Sequence, residues 1–426
     1  MLKIIPVLII VLLIAMFLSF KTNKEPEKTN NLATSENIKL KNVLVDVLED
    51  YRALGFSGQK KLATDSQGNI YAAYRKKESG YYEIFVAKIV KDQDSSKVLF
   101  SKNVSKINNK ANQRVPSLAI DSKDNLHIIW YGSDSSNPEG DRQIKYSTSK
   151  DGGETWSKTT NISFVEGFKN QNLWQEHPDI WVSKNDNLYV VWEGKDKETN
   201  NQLIKFSKSK DGGETWSTWK DISLAPRSQS RPTIIQDKNN LLYVFMYSKQ
   251  KSINSQIWYT TSDNEGDSWS DWKNISNSNQ DSRHLSVTLD SQNHLHLVWR
   301  EFNPGNGKTQ IMYSKFEGFD WSKSEIVSES KAFQFFPHIG VNTADTLIVT
   351  WVETDNKSEF PEDDPGDGTS YLVVKKENQT LFSNKLLITR GSYFPSVIPQ
   401  SKTKENFILF STKKQGFPIF LSKISL

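Results

Sequence analysis

Arginine, tyrosine and carboxylate side chains recur at two kinds of position along this chain. The first kind lies in short phrases at the start of apolar stretches: Arg114-Val115-Pro116, Glu176-His177-Pro178, Arg231-Pro232, Arg283-His284 and Tyr393-Phe394-Pro395. The second kind follows an aromatic residue of the next apolar run: Tyr131, Glu193, Arg300-Glu301 and Val352-Glu353. If the fold brings both kinds to one surface, the arginines can bind a carboxylate through paired hydrogen bonds. Such a mixture of groups suits a carboxylated sugar.

The elements that must position these residues come from a repeated hairpin. Each copy has an alternating apolar run, a polar turn of the Asp, Asn or Gly type and a second apolar run, and the copies recur at intervals of about 55 residues. Seven copies begin at Leu62, Leu118, Ile180, Ile234, Val287, Ile339 and Val397. The two-residue period predicts strands, and the helical period is absent from this region.

A second phrase follows several of the hairpins and supplies two further strands. Its copies begin at Gln143, Gln202, Gln256 and Gln310, and each joins a strand, a tight turn and another strand. Four antiparallel strands per repeat are typical of β-propeller blades. We therefore predict an all-β propeller with seven four-stranded blades, and six blades as the alternative. The last unit lacks a fourth strand, which the segment Val43 to Leu48 is predicted to supply, closing the ring.

The tight turns of the second phrase match the Asp-box pattern Ser-x-Asp-x-Gly-x-Thr-Trp. The pattern is complete from Ser149 to Trp156 and from Ser209 to Trp216, and a third copy has Asn264 in the Asp place. In such a turn the carboxylate accepts from local backbone amides, glycine permits positive φ, and tryptophan packs beneath. The pattern resembles that of bacterial and animal sialidases over roughly residues 55–426. Asp-boxes are structural turns that also occur in other propellers, so they predict a fold and not an activity.

The resemblance to the sialidase-like superfamily implies roles for the residues introduced first. Sialidases hold the substrate carboxylate with three arginines and use a Tyr–Glu pair as nucleophile and an Asp as acid/base. The segment Gln113 to Leu118 resembles the family's Arg-Ile-Pro motif. The implied carboxylate-binding residues are Arg114, Arg231 and Arg283, with Arg300 in reserve; the implied catalytic residues are Tyr393, its partner Glu193, Glu301 or Glu353, and Asp134 as the acid. Alternatively, each arginine pairs with a neighbouring blade. No metal or cofactor is expected.

The N-terminus has the residue pattern of an export signal. Lys3 precedes an uncharged apolar run from Ile4 to Phe20, and a polar stretch follows. The run is near the lower length limit for a membrane span, and bulky residues stand where a cleavage site would need small ones. We predict a signal anchor or, alternatively, a cleaved signal peptide over residues 1–20. A polar linker over 21–40 and a propeller outside the cytoplasm over 41–426 complete the predicted organisation.

Composition narrows the classes of function. The chain has 426 residues, no cysteine and a net charge of +4, without a basic cluster. These features exclude disulfides, thiolate zinc sites and cysteine nucleophiles, and they argue against nucleic-acid binding. The sequence favours a propeller that binds a glycan or a protein without catalysis. The alternative is an exo-sialidase-like glycoside hydrolase acting on sialic acid or another carboxylated sugar, and a polysaccharide lyase is a third reading.

Overall fold

A computed structural model contains seven four-stranded antiparallel sheets. It describes residues 39–49, 51–55, 57–92, 95–105, 111–134, 142–163, 173–195, 201–223, 229–249, 253–356, 368–413 and 416–425. The predicted anchor over residues 4–20 and nearly all of the predicted linker lie outside this part of the chain. Within it, no helix has the length and apolar character needed to cross a membrane.

The strands follow one another from the inside to the outside of each blade. Strand β1 spans Lys39–Val47, and a short 3₁₀ helix, Tyr51–Leu54, follows it. Blade 1 contains β2 to β5: Leu62–Thr64, Ile70–Glu78, Tyr81–Asp92 and Ser95–Asn103. Blade 2 contains β6 to β9: Gln113–Ile120, Leu126–Gly132, Gln143–Ser149 and Thr160–Asn161. Blade 3 contains β10 to β13: Gln175–Val182, Leu188–Lys195, Gln202–Ser209 and Lys220–Asp221.

The remaining four blades repeat this order. Blade 4 contains β14 to β17: Gln229–Gln236, Leu242–Ser248, Gln256–Ser262 and Lys273–Asn274. Blade 5 contains β18 to β21: Ser282–Leu289, Leu295–Asn303, Lys308–Phe316 and Glu325–Ile326. Blade 6 contains β22 to β25: Phe333–Val341, Leu347–Thr354, Thr369–Lys375 and Leu386–Arg390. Blade 7 contains β26 to β28 and β1: Ser392–Val397, Asn406–Thr412, Pro418–Ser425 and Lys39–Val47.

The N-terminal strand closes the ring as the sequence predicts. Strand β1 pairs antiparallel with β28, with Val43 opposite Leu421, and it forms the outer strand of blade 7. The seven-blade prediction is therefore confirmed, and the six-blade alternative is wrong. Strands from both ends of the chain therefore pair within one blade, and this pairing holds the ring closed.

In four blades a tryptophan near the end of the second strand donates its indole N–H to a polar side chain of the same blade. Its indole N–H donates to Gln113 from Trp130 (2.9 Å) and to Gln175 from Trp192 (2.7 Å). In blades 5 and 6 the acceptor is instead a glutamate two residues further on, Glu301 (3.4 Å) and Glu353 (3.1 Å). All four indoles are buried, so each hydrogen bond satisfies a donor that water cannot reach.

The segment that enters blade 1 packs against inner strands of five other blades. Gly58 accepts from Thr233 of blade 4, its Cα faces Leu285 of blade 5, and Gln59 lies against His338 of blade 6. Lys60 forms a buried ion pair with Asp179 of blade 3, and its backbone N–H donates to Ser117 of blade 2 (3.2 Å). These contacts place residues 58–60 at the centre of the ring.

The Asp-box turns adopt the predicted geometry. Asp151 accepts from the backbone N–H of Thr155 (2.9 Å) and from Ser149 Oγ (2.8 Å), while Gly153 has φ of 92°. The indole N–H of Trp156 donates to the Gly153 carbonyl oxygen (3.1 Å). The second box repeats all of these contacts through Asp211 and Trp216, and the third repeats the contacts of the turn through Asn264. The boxes therefore hold turns, and their carboxylates bond within the turn.

We expect Asp211→Ala in the second box to lower the melting temperature without changing ligand affinity. The variant loses hydrogen bonds to Ser209 and Thr215 within one turn, at a cost of about 1–2 kcal/mol. Thermal unfolding followed by circular dichroism measures the effect, with Lys184→Ala at an exposed position of the same blade as the control. A variant that melts normally but loses its ligand would place the box in a binding site.

Candidate functional site

Six consecutive inner strands share a strained bulge near their starts. The pairing of the first two strands shifts at this point in blades 2 to 7. One residue in each bulge has a positive φ, between 48° and 53°, and these residues are Val115, His177, Arg231, His284, Phe336 and Phe394. A non-glycine residue in this conformation costs about 1–3 kcal/mol, and such strain is concentrated at functional sites. We call the surface formed by these six residues the funnel mouth.

One part of the funnel mouth centres on His177. Its Nδ1 lies 2.6 Å from a carboxylate oxygen of Glu193, and the Tyr131 ring lies 5.4 Å from the imidazole, centroid to centroid. All three side chains are buried. The Arg231 backbone N–H donates to the other oxygen of Glu193 (2.6 Å). Burial raises the pKa of Glu193, but His177 and Arg231 outweigh that effect and hold the pKa below its ordinary value.

The charges around Tyr131 come from residues of blades 1, 2 and 3. Burial and then the Glu176 carboxylate raise the pKa of Tyr131 to about 12, against opposing effects of Arg114, Arg142 and Arg75. Glu176 itself is ion-paired with Arg142. The phenol therefore stays protonated at neutral pH and can donate a proton or a hydrogen bond.

The other part of the funnel mouth centres on His284. Burial lowers the pKa of this imidazole well below its ordinary value, and the charges of Arg231, Arg300, Arg283 and His177 lower it further. His284 is therefore neutral at pH 7, and a guanidinium nitrogen of Arg231 lies 2.5 Å from its Nε2. Three arginines from blades 4 and 5 thus act on one uncharged side chain.

Aromatic rings continue this surface towards blade 7. The His284 ring stacks on Phe336 with 5.2 Å between centroids, and Phe336 lies 4.6 Å from Phe394. Tyr247 meets the same imidazole edge-on at 5.8 Å. His284, Phe336 and Phe394 are buried, so these rings pack against one another and fix the imidazole that the arginines surround.

Comparison with known proteins identifies the fold family. A family model described as the BNR repeat-like domain matches residues 83–335. The chain belongs to this family. It is a sialidase-like BNR propeller in fold. A search of curated proteins gives no match.

Solved structures similar to this BNR propeller include proteins named as glycan-degrading enzymes. An ulvan lyase of a polysaccharide lyase family aligns with a TM-score of 0.62 at 13% identity, over 89% of this chain and 95% of that one. An α-L-arabinanase of Penicillium chrysogenum aligns with a TM-score of 0.52 at 12% identity, over 75% and 96%. A Hadza microbial sialidase aligns with a TM-score of 0.51 at 13% identity, over 82% and 73%. At these identities the likeness extends to the fold alone.

The BNR propeller distributes the predicted carboxylate-binding arginines over both parts of the mouth. Arg231, Arg283 and Arg300 lie around His284, and Arg114 lies near Tyr131. Arg283 and Arg300 also share the Asp281 carboxylate, at 2.9 Å each. Arg300 is buried whereas Arg283 and Arg231 are partly exposed. The last two are therefore the arginines of this group that a ligand can reach most readily.

The predicted catalytic residues fall into different settings. Glu193 bonds His177, whereas Glu301 and Glu353 accept from the buried tryptophans of their own blades. Glu353 is also ion-paired with Lys385 (2.8 Å). Asp134 is exposed and lines a groove between blades 1 and 2. The side chain of Tyr393 lies outside the described residues.

Glu176, His177 and Glu193 bring possible metal-binding atoms within 4.8 Å of one another. These atoms already serve other contacts, since His177 bonds Glu193, Glu176 pairs with Arg142, and Glu193 accepts from Arg231. We therefore treat the trio as a hydrogen-bonded group of the mouth. Sequence reasoning noted Glu176, His177 and Tyr131 as members of the two recurring phrases but gave them no role.

Proposed function

We propose that the funnel mouth of this propeller binds a carboxylated polysaccharide. The observation that carries the proposal is the position of Arg231, Arg283 and Arg300 around the neutral His284. Guanidinium groups are suited to bind a planar carboxylate, and Arg231 and Arg283 are partly exposed at the mouth. The ulvan lyase that shares the fold has a structure described as bound to -[GlcA(1-4)Rha3S]-, which contains a uronic acid.

The proposal includes the location of the protein. The apolar run from Ile4 to Phe20 would tether the propeller to the membrane or direct its export. An extracytoplasmic propeller would meet polysaccharides directly. The binding test is mobility in native gels that contain polygalacturonate, alginate or neutral dextran, where retardation by a uronate polymer but not by dextran supports the proposal.

A second candidate function is cleavage of the bound polymer by β-elimination. The Tyr131–His177–Glu193 group favours it, because Glu193 accepts from His177 Nδ1 and leaves the imidazole lone pair on Nε2. In elimination a base removes the C5 proton of a uronate, the C4–O bond breaks, and a C4=C5 double bond forms. The leaving oxygen takes a proton from an acid. His177 is suited to act as the base and Tyr131 as the acid, while an arginine neutralises the uronate carboxylate.

The hydrolytic alternative requires different residues. A sialidase-type reaction would use Tyr393 as the nucleophile and a carboxylate to activate it. Because Glu193 is already held by His177 and by the Arg231 N–H, it is better suited to orient the imidazole than to activate a nucleophile. The three functions make distinct predictions for the same set of variants.

We expect Tyr131→Phe to abolish the appearance of ultraviolet-absorbing unsaturated uronate when the protein is incubated with polygalacturonate, alginate or glucuronan. Loss of a general acid or base typically costs about 10²–10⁴-fold in rate. Tyr189→Phe, a buried tyrosine near the Asp-box turns of the same blade as His177, is the control. Release of fluorophore from an aryl sialoside that depends on Tyr393 would favour hydrolysis instead. If the protein binds a polysaccharide but produces neither unsaturated uronate nor free fluorophore, the non-catalytic function is supported.

A further inference from the structure

A lateral groove of about 620 Å³ opens between blades 1 and 2. Its walls are residues 102–105, at the end of β5, and residues 154–161, which run from the Asp-box turn to β9. We call it the lateral groove. Its volume lies within the range of about 300–1,000 Å³ found for small-molecule sites.

At the lateral groove a threonine stands where two other blades have a tryptophan. The outer-strand phrases of blades 2, 3 and 4 align without gaps, and Thr159 occupies the place of Trp219 and Trp272. Trp219 lies over its own blade's Lys205, with the ammonium 4.4 Å from the ring centroid. Trp272 donates to the Ile222 carbonyl oxygen of the preceding blade (3.0 Å). The smaller threonine provides no such cover at the boundary between blades 1 and 2.

The buried Lys145 ammonium, which lines the lateral groove, also lacks the carboxylate partner that the equivalent lysine of blade 3 has. Lys145 in β8 stands opposite Asn161 in β9, and Lys205 in β12 stands opposite Asp221 in β13, so the two pairs are structurally equivalent. Lys205 forms an ion pair with Asp221 (2.5 Å). Asn161 cannot supply the same charge to Lys145.

Lys145 has other polar neighbours. Its ammonium donates to the Ser133 carbonyl oxygen (3.1 Å), and the side chain is almost completely buried. Burial lowers the pKa of Lys145, while the nearby Asp134 and Glu83 carboxylates act in the opposite direction. Asp134 is exposed and lines the same groove. The Lys145 ammonium, a hydrogen-bond donor, and the Asp134 carboxylate, an acceptor, thus line the same groove.

Trp156 supplies an aromatic wall. It lines the lateral groove, it is only partly buried, and its indole N–H is held by the Gly153 carbonyl oxygen (3.1 Å). On the rim, Lys102 lies 3.5 Å from Glu154. A fixed aromatic face beside an ammonium and a carboxylate matches a sugar, which presents an apolar ring face and hydroxyls that both donate and accept.

We propose that the lateral groove is a second saccharide-binding site. A sugar ring packs against Trp156, and its hydroxyl or acidic groups bond Lys145 and Asp134. The proposal rests on the proposed function only for the class of ligand, because none of these side chains belongs to the funnel mouth. The site would hold a separate stretch of polysaccharide on the side of the propeller.

The chain itself provides the variant that tests this proposal. Thr159→Trp combined with Asn161→Asp copies the cover and the ion pair of blade 3 into blade 2, so the variant is expected to fold. A glycan array of uronate and neutral oligosaccharides is probed with wild type, with this groove variant, with Arg231→Ala and with the two combined. Thr218→Trp, at an exposed position of blade 3, is the control for an added tryptophan.

The expected result is binding that survives Arg231→Ala and falls at least about tenfold when the groove variant is added, a difference well within the range measured for single binding residues. A groove variant that binds every glycan as wild type does would overturn the lateral site. Binding lost in the groove variant and unaffected by Arg231→Ala would support the lateral site and count against the funnel mouth. An array on which the wild type binds no glycan contradicts both.

Discussion

Arg231→Ala is expected to weaken binding of polygalacturonate about 10- to 100-fold, corresponding to about 1.5–3 kcal/mol for a charge-assisted hydrogen bond. Arg231 is partly exposed at the funnel mouth, and its guanidinium bonds a neutral imidazole. Alanine keeps the side chain's Cβ at a residue whose φ is 48°, so the substitution adds little new backbone strain. The loss should therefore appear in affinity, measured by isothermal titration calorimetry, and not in folding.

Two further variants make this measurement specific. Arg231→Lys keeps the charge but removes the planar fork, so its affinity should fall between those of wild type and Arg231→Ala. Arg390→Ala removes an exposed arginine at the end of β25, on an outer strand, and should bind normally. If Arg390→Ala and Arg231→Ala lose the same affinity for polygalacturonate, the effect comes from the net charge of the protein and not from a specific site.

Asp179→Asn is expected to destabilise the whole ring. The Asp179 carboxylate is completely buried, pairs with Lys60, and accepts from Ser117 Oγ (2.7 Å) and Thr233 Oγ1 (2.7 Å). The amide leaves the Lys60 ammonium without its counter-charge, and breaking a buried pair costs about 3–5 kcal/mol. The cost should be global, because these residues join blades 1 to 4 at the centre of the ring. Denaturant unfolding followed by tryptophan fluorescence measures it.

A double variant tests whether the charge is the cause. Lys60→Met with Asp179→Leu removes both charges and retains apolar volume, so it should recover a large part of the stability lost in Asp179→Asn. If the single and double variants are equally unstable, packing and the hydroxyl contacts dominate. If Asp179→Asn unfolds like wild type, the central contact does not stabilise the ring.

The blade architecture could be predicted from sequence because its signals are local. Each hairpin carries its own two-residue period and polar turn, and each Asp-box encodes a complete turn within eight residues, as from Ser149 to Trp156. Closure of the ring by β1 could also be predicted, because the last unit lacked one strand and Val43 to Leu48 was a strand-like segment outside the repeats. The observed strand, Lys39–Val47, begins four residues earlier than predicted.

The candidate site was only partly predictable because it depends on contacts between blades. The recurring Pro phrases marked the right ends of the inner strands, but nothing in them specifies the positive φ of His177 or His284. The pairing of His177 with Glu193 joins two residues of one blade through its bulge, and Arg231 reaches His284 from the blade before. The aromatic and charged residues of these phrases were the signal available in the sequence. Tyr131 is one of these residues, but the sequence analysis gave it no role.

The roles implied for Glu301 and Glu353 show how a repeat can mislead. Both follow a Trp in the pattern that also contains Glu193. In blades 2 and 3 a glutamine of the inner strand receives the tryptophan N–H, and in blades 5 and 6 these glutamates receive it. A carboxylate at a repeated position therefore has a structural use that spacing alone does not distinguish from a catalytic one.

The central claim is that the funnel mouth recognises the carboxylate of a polysaccharide, and chemical esterification tests it most directly. Wild-type protein is titrated with polygalacturonate and with the same polymer after its carboxyl groups have been converted to methyl esters, which keeps the sugar backbone and removes the charge. We predict measurable binding of the free acid, a large loss of that binding on esterification, and a much smaller difference between the two polymers for Arg231→Ala. Equal affinity of the wild type for both polymers would contradict the account.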